Sequence, residues 1–260
     1  MHVLPPGELA LVLTLGAGLG FFGGLFGIGG GIIAIPVLVL GFGMEQPLAQ
    51  GTALVTMVPN LLIGWWRYSQ RHPIGLGKAL AIGLSATLTT WLVAHAATQL
   101  DPQVLRLVFS VFLALLAFQM LARQRRPSGA AAELPPPAPL PVRCLPLVGM
   151  AGGSSMGLLG IGGGLVATPL LTGWLAQRQT VAQSLSLALV APSSVIALST
   201  YAGAHRVDWS LGLPLALGGL FTVSAGVALA HRLPERRMRT AFAWMMVGTA
   251  CWLLVGPLVL

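Results

Sequence analysis

The string Gly27-Ile28-Gly29-Gly30-Gly31 returns 133 positions later as Gly160-Ile161-Gly162-Gly163-Gly164. Each copy lies inside an apolar run and is followed at the same distance by a proline, Pro36 and Pro169. Glycine in a helix interior costs roughly 0.5–1 kcal/mol relative to alanine. Four glycines within five residues therefore break a helix. A chain that does this twice, at matched positions, is restricted to folds in which two equivalent helices are interrupted, and interruptions of this kind mark binding sites in membrane transporters.

The match reaches well past the glycines. Between Gly24–Tyr68 and Gly157–Tyr201 there are 17 identities in 45 aligned positions without a gap. Gln46, Ala49, Gln50, Leu54, Pro59, Ile63 and Tyr68 meet Gln179, Ala182, Gln183, Leu187, Pro192, Ile196 and Tyr201. Further on, His72 meets His205, Leu100 meets Leu233 and Arg106 meets Arg239. The chain therefore reads as two homologous halves, 1–122 and 144–260, joined by a linker over 123–143. That linker carries Arg125, Arg126 and the run Pro135-Pro136-Pro137-Ala138-Pro139-Leu140-Pro141, the composition of an extended solvated tether.

The repeat sits in a membrane. Of the 260 residues 55% are hydrophobic and only 8% charged, with mean hydropathy +0.85. A soluble domain carries about 25% charged residues. The apolar segments fill most of the length, which leaves no room for a soluble domain. The net charge of +8 does not point to nucleic acid, because the arginines cluster between apolar segments, where they set orientation. Met1 to Glu8 holds no Lys or Arg and does not read as the basic start of a signal peptide. Cys144 and Cys251 show neither CxxC nor metal-ligand spacing, so no metal and no cofactor is expected.

Each half has four apolar stretches. They cover about 8–43, 48–66, 75–98 and 103–122 in the first half, and about 142–175, 181–203, 209–231 and 238–258 in the second. One bilayer crossing takes about 20 helical residues, so the last three stretches of each half fit one span apiece. The first is broken near its middle by the glycines and suits two short helices or a re-entrant hairpin. Charge decides how these stretches are threaded. Basic loops remain in the cytoplasm, which places the loop 67–78 (Arg67, Arg71, Lys78), the linker and the loop 232–239 (Arg232, Arg236, Arg237, Arg239) inside. Counting spans puts 99–106 and 204–208 outside, with both termini periplasmic. The stretch 142–175 must then leave and return to one side, as must 8–43. The matched loops 67–78 and 204–208 fall on opposite faces, so the halves are expected to be inverted copies. The fold class is all-α and polytopic: two inverted repeats, each a Gly-rich hairpin plus three transmembrane helices. In such folds the substrate site lies near the midplane between repeats.

Small residues also let membrane helices pack closely, and Gly23 with Gly27 has that spacing. Packing does not account for three successive glycines repeated with their whole surroundings. Hairpin tips whose backbone N–H groups line a cavity would, and such groups hold anions without charged side chains. No Lys-Ser/Thr pair follows either cluster, so neither is a P-loop. The expected substrate-binding residues are Gly29, Gly30, Gly31, Gly162, Gly163 and Gly164, joined by Gln50, Thr52, Asn60, Gln183, Ser186 and Ser193 on the helix after each tip. These amides and hydroxyls are neutral donors suited to an anion, and equally residues that tie helices together. Pro59 and Pro192 are expected to kink those helices. All six acids fall in loops or at helix ends, which argues against a cation as cargo. His95 sits near a helix end and reads as structural. Arg67, after Trp65-Trp66, is an interfacial anchor and a candidate for attracting anions at the cytoplasmic mouth. The paired Tyr68 with His72, and Tyr201 with His205, have no role that the sequence assigns.

The strings GLFGIGGGIIAIPVL and GLLGIGGGLVATPLL resemble the TauE/SafE sulfite exporter family, in which a Gly-rich hairpin followed by a proline occurs in both halves. The resemblance covers nearly the whole chain. It implies a secondary transporter of small sulfur-containing anions, such as sulfite or organosulfonates like sulfoacetate, in a bacterial-type inner membrane. It points to Gly27 to Gly31, Pro36, Gly160 to Gly164 and Pro169. The family's segment after the hairpin appears altered, as Gly51-Thr52-Ala53-Leu54 and Ser184-Leu185-Ser186-Leu187. The expected partners are a small anion and the lipid bilayer. A proton or sodium as coupling ion and a homodimer are left open. An anion channel, or a transporter of another oxoanion or a carboxylate, is the alternative. A membrane enzyme would need paired carboxylates, a metal cluster or a nucleophile with its base inside the membrane, and the sequence offers none.

Overall fold

The computed structural model describes residues 5–26, 31–71, 74–124, 142–175, 177, 179–230 and 243–253. Within them the backbone is helical, with α1 (Pro6–Phe26), α2 (Gly31–Gly41), α3 (Gln46–Arg71), α4 (Leu76–Gln99) and α5 (Pro102–Gln124) in the first half. In the second half come α6 (Leu145–Leu159), α7 (Gly164–Pro169), α8 (Gln179–Gly203), α9 (Trp209–Ala230) and α10 (Ala243–Leu253). Shifted by the repeat distance, α1 corresponds to α6, α2 to α7 with its continuation, α3 to α8 and α4 to α9. The first apolar stretch of each half is therefore two helices separated at the glycines. The linker expected over 123–143 falls largely on 125–141, outside the described residues. Gly29, Gly30 and His72 lie outside them as well.

The helices end where the chemistry requires. Gly160 takes a left-handed φ of 65° and closes α6, its N–H donating to the Met156 carbonyl. Gly162 has φ 89°, a conformation that an L side chain avoids. Pro169 supplies no N–H, and beyond it Leu170–Trp174 runs as a π-helix. Both hairpins leave by the same turn. The Met44 N–H donates to the Leu38 carbonyl at 3.2 Å, and at the repeat-equivalent position the Gln177 N–H donates to Leu171 at 2.9 Å.

The halves interlock reciprocally. α1 of the first half packs on α9 of the second, while α6 of the second packs on α4 of the first. Both contacts depend on glycine. A side chain at Gly149, Gly153 or Gly157 of α6 would run into Ile82 and Ser85, Ala86 and Thr89, or Thr90 and Ala94 of α4. These pairs advance together along both chains, so α6 and α4 run parallel. Their repeat mates Gly16 and Gly20 press against the backbone of Leu215 and Gly219 in α9. Small residues spaced by four allow backbones this near, which is how helices associate where lipid removes the hydrophobic drive. The stripe is a second set of glycines repeated at the same offset in the sequence.

Among the described residues four helices are long and apolar enough to cross a bilayer: Leu76–Gln99, Pro102–Gln119, Val181–Gly203 and Trp209–Gly226. α3 is as long as these, and its residues 46–58 are almost entirely buried by protein. α4 and α5 instead expose Leu80, Leu84, Leu88, Leu107, Leu115 and Phe118 as a lipid-facing surface. Arg106, at the start of α5, donates from Nε to the Leu253 carbonyl of α10 (2.9 Å), which ties the two helices together.

Candidate functional site

The two glycine segments approach each other through their described ends. A β-carbon on Gly31, the first residue of α2, would stand 3.4 Å from the Gly160 carbonyl oxygen that ends α6 and would overlap Met57 Sδ. Gly162 lies between Met57 and Val190, and Gly164 between Val190 and Ser186. The start of one hairpin's second arm thus meets the end of the other hairpin's first arm, with α3 and α8 closing around both. Gly163 has a different neighbour. It packs against the Gly152 carbonyl of α6, so its missing side chain allows the hairpin to fold on itself.

Gln50 stands at this junction. It is 0% exposed, and its Cβ and Cγ lie 3.3 and 3.6 Å from where a side chain on Gly160 would begin. Its Oε1 accepts from the Tyr201 hydroxyl at 2.9 Å, with the Gly157 carbonyl a second acceptor for that hydroxyl at 3.1 Å. Its Nε2 is buried and has no partner among the described residues. A buried donor without a partner costs about 1–3 kcal/mol, and such groups in native structures call for an explanation. Further polar atoms on α3 share this condition: Gln46 Oε1 and Nε2, Thr56 Oγ1 and Asn60 Oδ1. At about 100° per residue Gln46, Gln50, Thr56 and Asn60 fall on one side of the helix.

The other expected residues divide. Ser186 lies beside Gly164, and its hydroxyl pairs with Thr168 Oγ1 at 2.9 Å. Thr52 accepts the Asp208 N–H at 3.0 Å while donating to the Leu48 carbonyl, so it secures the 204–208 loop. Ser193 is fully buried and donates to the Leu189 carbonyl of its own helix, the local bond that serine favours in helices. Asn60 Nδ2 does the same to Thr56. Gln183, the repeat mate of Gln50, is exposed. Arg67 is placed on α3 with nothing described of its side chain. His95 takes the structural part expected of it, Nδ1 sitting 2.9 Å from the Trp91 carbonyl and the ring edge-on to Trp91. Tyr201 is the residue that sequence reasoning left without a role. Its repetition as Tyr68 was the available signal.

Loops close this end of the molecule. Arg206 Nη1 pairs with Glu45 Oε2 at 2.7 Å, and its carbonyl presses against Gly51. Asp208 caps α9 through the N–H groups of Ser210 and Leu211. No group of three or more metal-ligating side chains occurs among the described residues.

Comparison with known proteins is consistent across the length of the chain. The family described as "Sulfite exporter TauE/SafE" matches residues 12–253. A protein of Xylella fastidiosa named "Probable membrane transporter protein" is 27% identical, over 94% of this chain and 95% of its own. One of the same name from Haemophilus influenzae is 28% identical, over 93% of this chain and 96% of its own. A third, from Methanocaldococcus jannaschii, is 24% identical, over 89% and 90%. No solved structure matches the chain.

Proposed function

The chain belongs to the TauE/SafE sulfite exporter family and is a multi-pass membrane transporter, and from that premise we propose that it carries a small sulfur-containing anion, sulfite or an organosulfonate such as sulfoacetate, by alternating access. The observation that carries this reading is the buried, unpartnered Nε2 of Gln50 beside the meeting of Gly31 and Gly160. An amide donor held inside protein, next to glycine backbone, suits an oxoanion and not a cation. Backbone amides of the two glycine segments and the Gln50 side chain hold the anion, with Ser186 nearby on the second half. Such a site supplies hydrogen-bond donors without a full positive charge, so the anion is bound and still released.

The same reading takes the halves as inverted repeats. Its support is the antiparallel register of the two equivalent central helices. Gln50 near the start of α3 meets Tyr201 near the end of α8, and Leu54 and Ala197, further in along the same pair, share one buried cluster. The parallel pairs α1 with α9 and α4 with α6 fit it too. With basic loops inside, the Glu45–Arg206 end is periplasmic and is the closed gate. Opening it exposes the junction to the outside, while the opposite gate closes.

Purified full-length protein in liposomes tests the proposal. Sulfite or sulfoacetate flux should saturate and should compete with thermal stabilisation by the same anions. Ohmic current would replace the transporter with a channel, and stabilisation by carboxylates alone would move the substrate class.

A further inference from the structure

We propose that Tyr201 is a positioning residue for the substrate: by tying back Gln50 Oε1 it leaves the junction only the donor end of that amide, and so makes the site select acceptor-rich anions. The inference rests on the site reading above and names what sets its selectivity.

A glutamine side chain has a carbonyl acceptor at one side and an N–H donor group at the other. Left free, it can turn either end toward a ligand and would accommodate a cation as readily as an anion. Gln50 is not free. Tyr201 is fully buried, and its hydroxyl reaches Oε1 at 2.9 Å. Tyr201 fixes the direction of Oε1 and occupies one of its two lone pairs, so the amide chiefly presents the pair of N–H bonds on Nε2, which no group among the described residues takes. The charge preference of the junction thus follows from one phenol, without any ionised side chain.

The second contact of Tyr201 sets where the amide stands. Gly157 lies in the last turn of α6, whose carbonyls lack partners within the helix, and its oxygen is 3.1 Å from the same hydroxyl. Three residues on, Gly160 ends α6 against Gly31. Tyr201 therefore references Gln50 to the glycine tip of the other half as well as to its own helix. One hydroxyl proton serves two acceptors. When it swings wholly to Gly157, the amide can invert, Nε2 donating to the Tyr201 oxygen and Oε1 turning outward. That arrangement would favour a cationic or protonated ligand and is the competing outcome.

A double-mutant cycle decides the matter, using purified full-length protein, sulfite, sulfoacetate and acetate as anionic probes, and methylammonium as the cationic one. Wild type should bind an anion and ignore methylammonium. Gln50→Leu should weaken anion binding at least tenfold, and Tyr201→Phe by about tenfold. The double variant should bind no more weakly than Gln50→Leu alone, because Tyr201 acts through Gln50. Additive losses would make Tyr201 an ordinary structural residue and overturn the inference. Gln50→Glu, which replaces the donor end with a second acceptor, should abolish anion binding while Tyr201 remains. Retained binding there would overturn it without recourse to the tyrosine variant. If Gln50→Leu leaves anion affinity unchanged, or wild type binds no anion, the site reading itself fails. If Gln50→Leu weakens binding and Tyr201→Phe does not, only the role of Tyr201 fails.

Discussion

Gln50 and Gln183 occupy the same position in two copies of one sequence, and the fold treats them differently. Gln50 is buried among Tyr201, Gly157 and Gly160, whereas Gln183 is exposed. The residues around them explain why. On the first side Glu45 pairs with Arg206, Gly51 admits the Arg206 carbonyl, and Thr52 accepts the Asp208 N–H. Shifted by 133, these three positions hold Arg178, Ser184 and Leu185, and Arg206 itself corresponds to Pro73. An Arg–Pro pair cannot make the ion pair. Serine adds a side chain where the first half has glycine, and a leucine side chain offers no acceptor. The lesson is that a duplicated scaffold keeps its helices while a few substitutions at loop contacts make its two ends unequal.

The comparison is most severely tested at the glutamines. Gln50→Leu should lower sulfite affinity by about 10- to 150-fold, the equivalent of losing one hydrogen bond to a charged ligand at about 1.5–3 kcal/mol. Gln183→Leu should cost less in the same titration calorimetry. Equal losses would mean that both glutamines reach the anion and that the halves are functionally symmetric.

A second contrast is between Gly31 and Gly164, which are repeat mates. A methyl group on Gly31 overlaps Met57 Sδ, while on Gly164 it would have 3.5 Å to its nearest neighbour, Val190. Gly31→Ala should destabilise by about 1–3 kcal/mol through overpacking, with Met57→Ala restoring part of the loss. Gly164→Ala should remain within about 1 kcal/mol on the same grounds. Denaturation midpoints in detergent would rank the two, and a reversed ranking would contradict the packing described at the junction.

The smallest effect belongs to the loop ion pair. Glu45 and Arg206 are 58% and 34% exposed, and exposed pairs contribute about 0.2–1 kcal/mol. Glu45→Gln should lower stability by no more than that, and the difference should shrink as salt is raised. Its larger consequence should appear in transport, as a changed rate of anion flux in liposomes.

Much of the architecture was legible without coordinates. The broken first stretch of each half, the equivalence of α3 with α8 and the lipid-facing helices all followed from glycine, proline and hydropathy. The site was legible only in outline. Gln50, Gly31, Gly162, Gly164 and Ser186 come to one junction, but Thr52 serves a loop, Ser193 turns back on its own helix and Gly163 packs within its hairpin. A polar residue on a buried helix face reads the same in sequence whether it bonds its own backbone, another helix or a ligand.

By itself the sequence determined that this protein is membrane-embedded, duplicated and interrupted at two matched glycine clusters. Those properties follow from local costs: charge in hydrocarbon, glycine in helices and the missing N–H of proline. Only the tertiary structure decided which glycine segment meets which helix, that Tyr201 reaches across 151 positions to hold Gln50, and that Glu45 and Arg206 pair between the two halves. These depend on contacts between segments far apart in the chain, where a shift of a few ångströms separates a hydrogen bond from none and leaves no trace in local pattern.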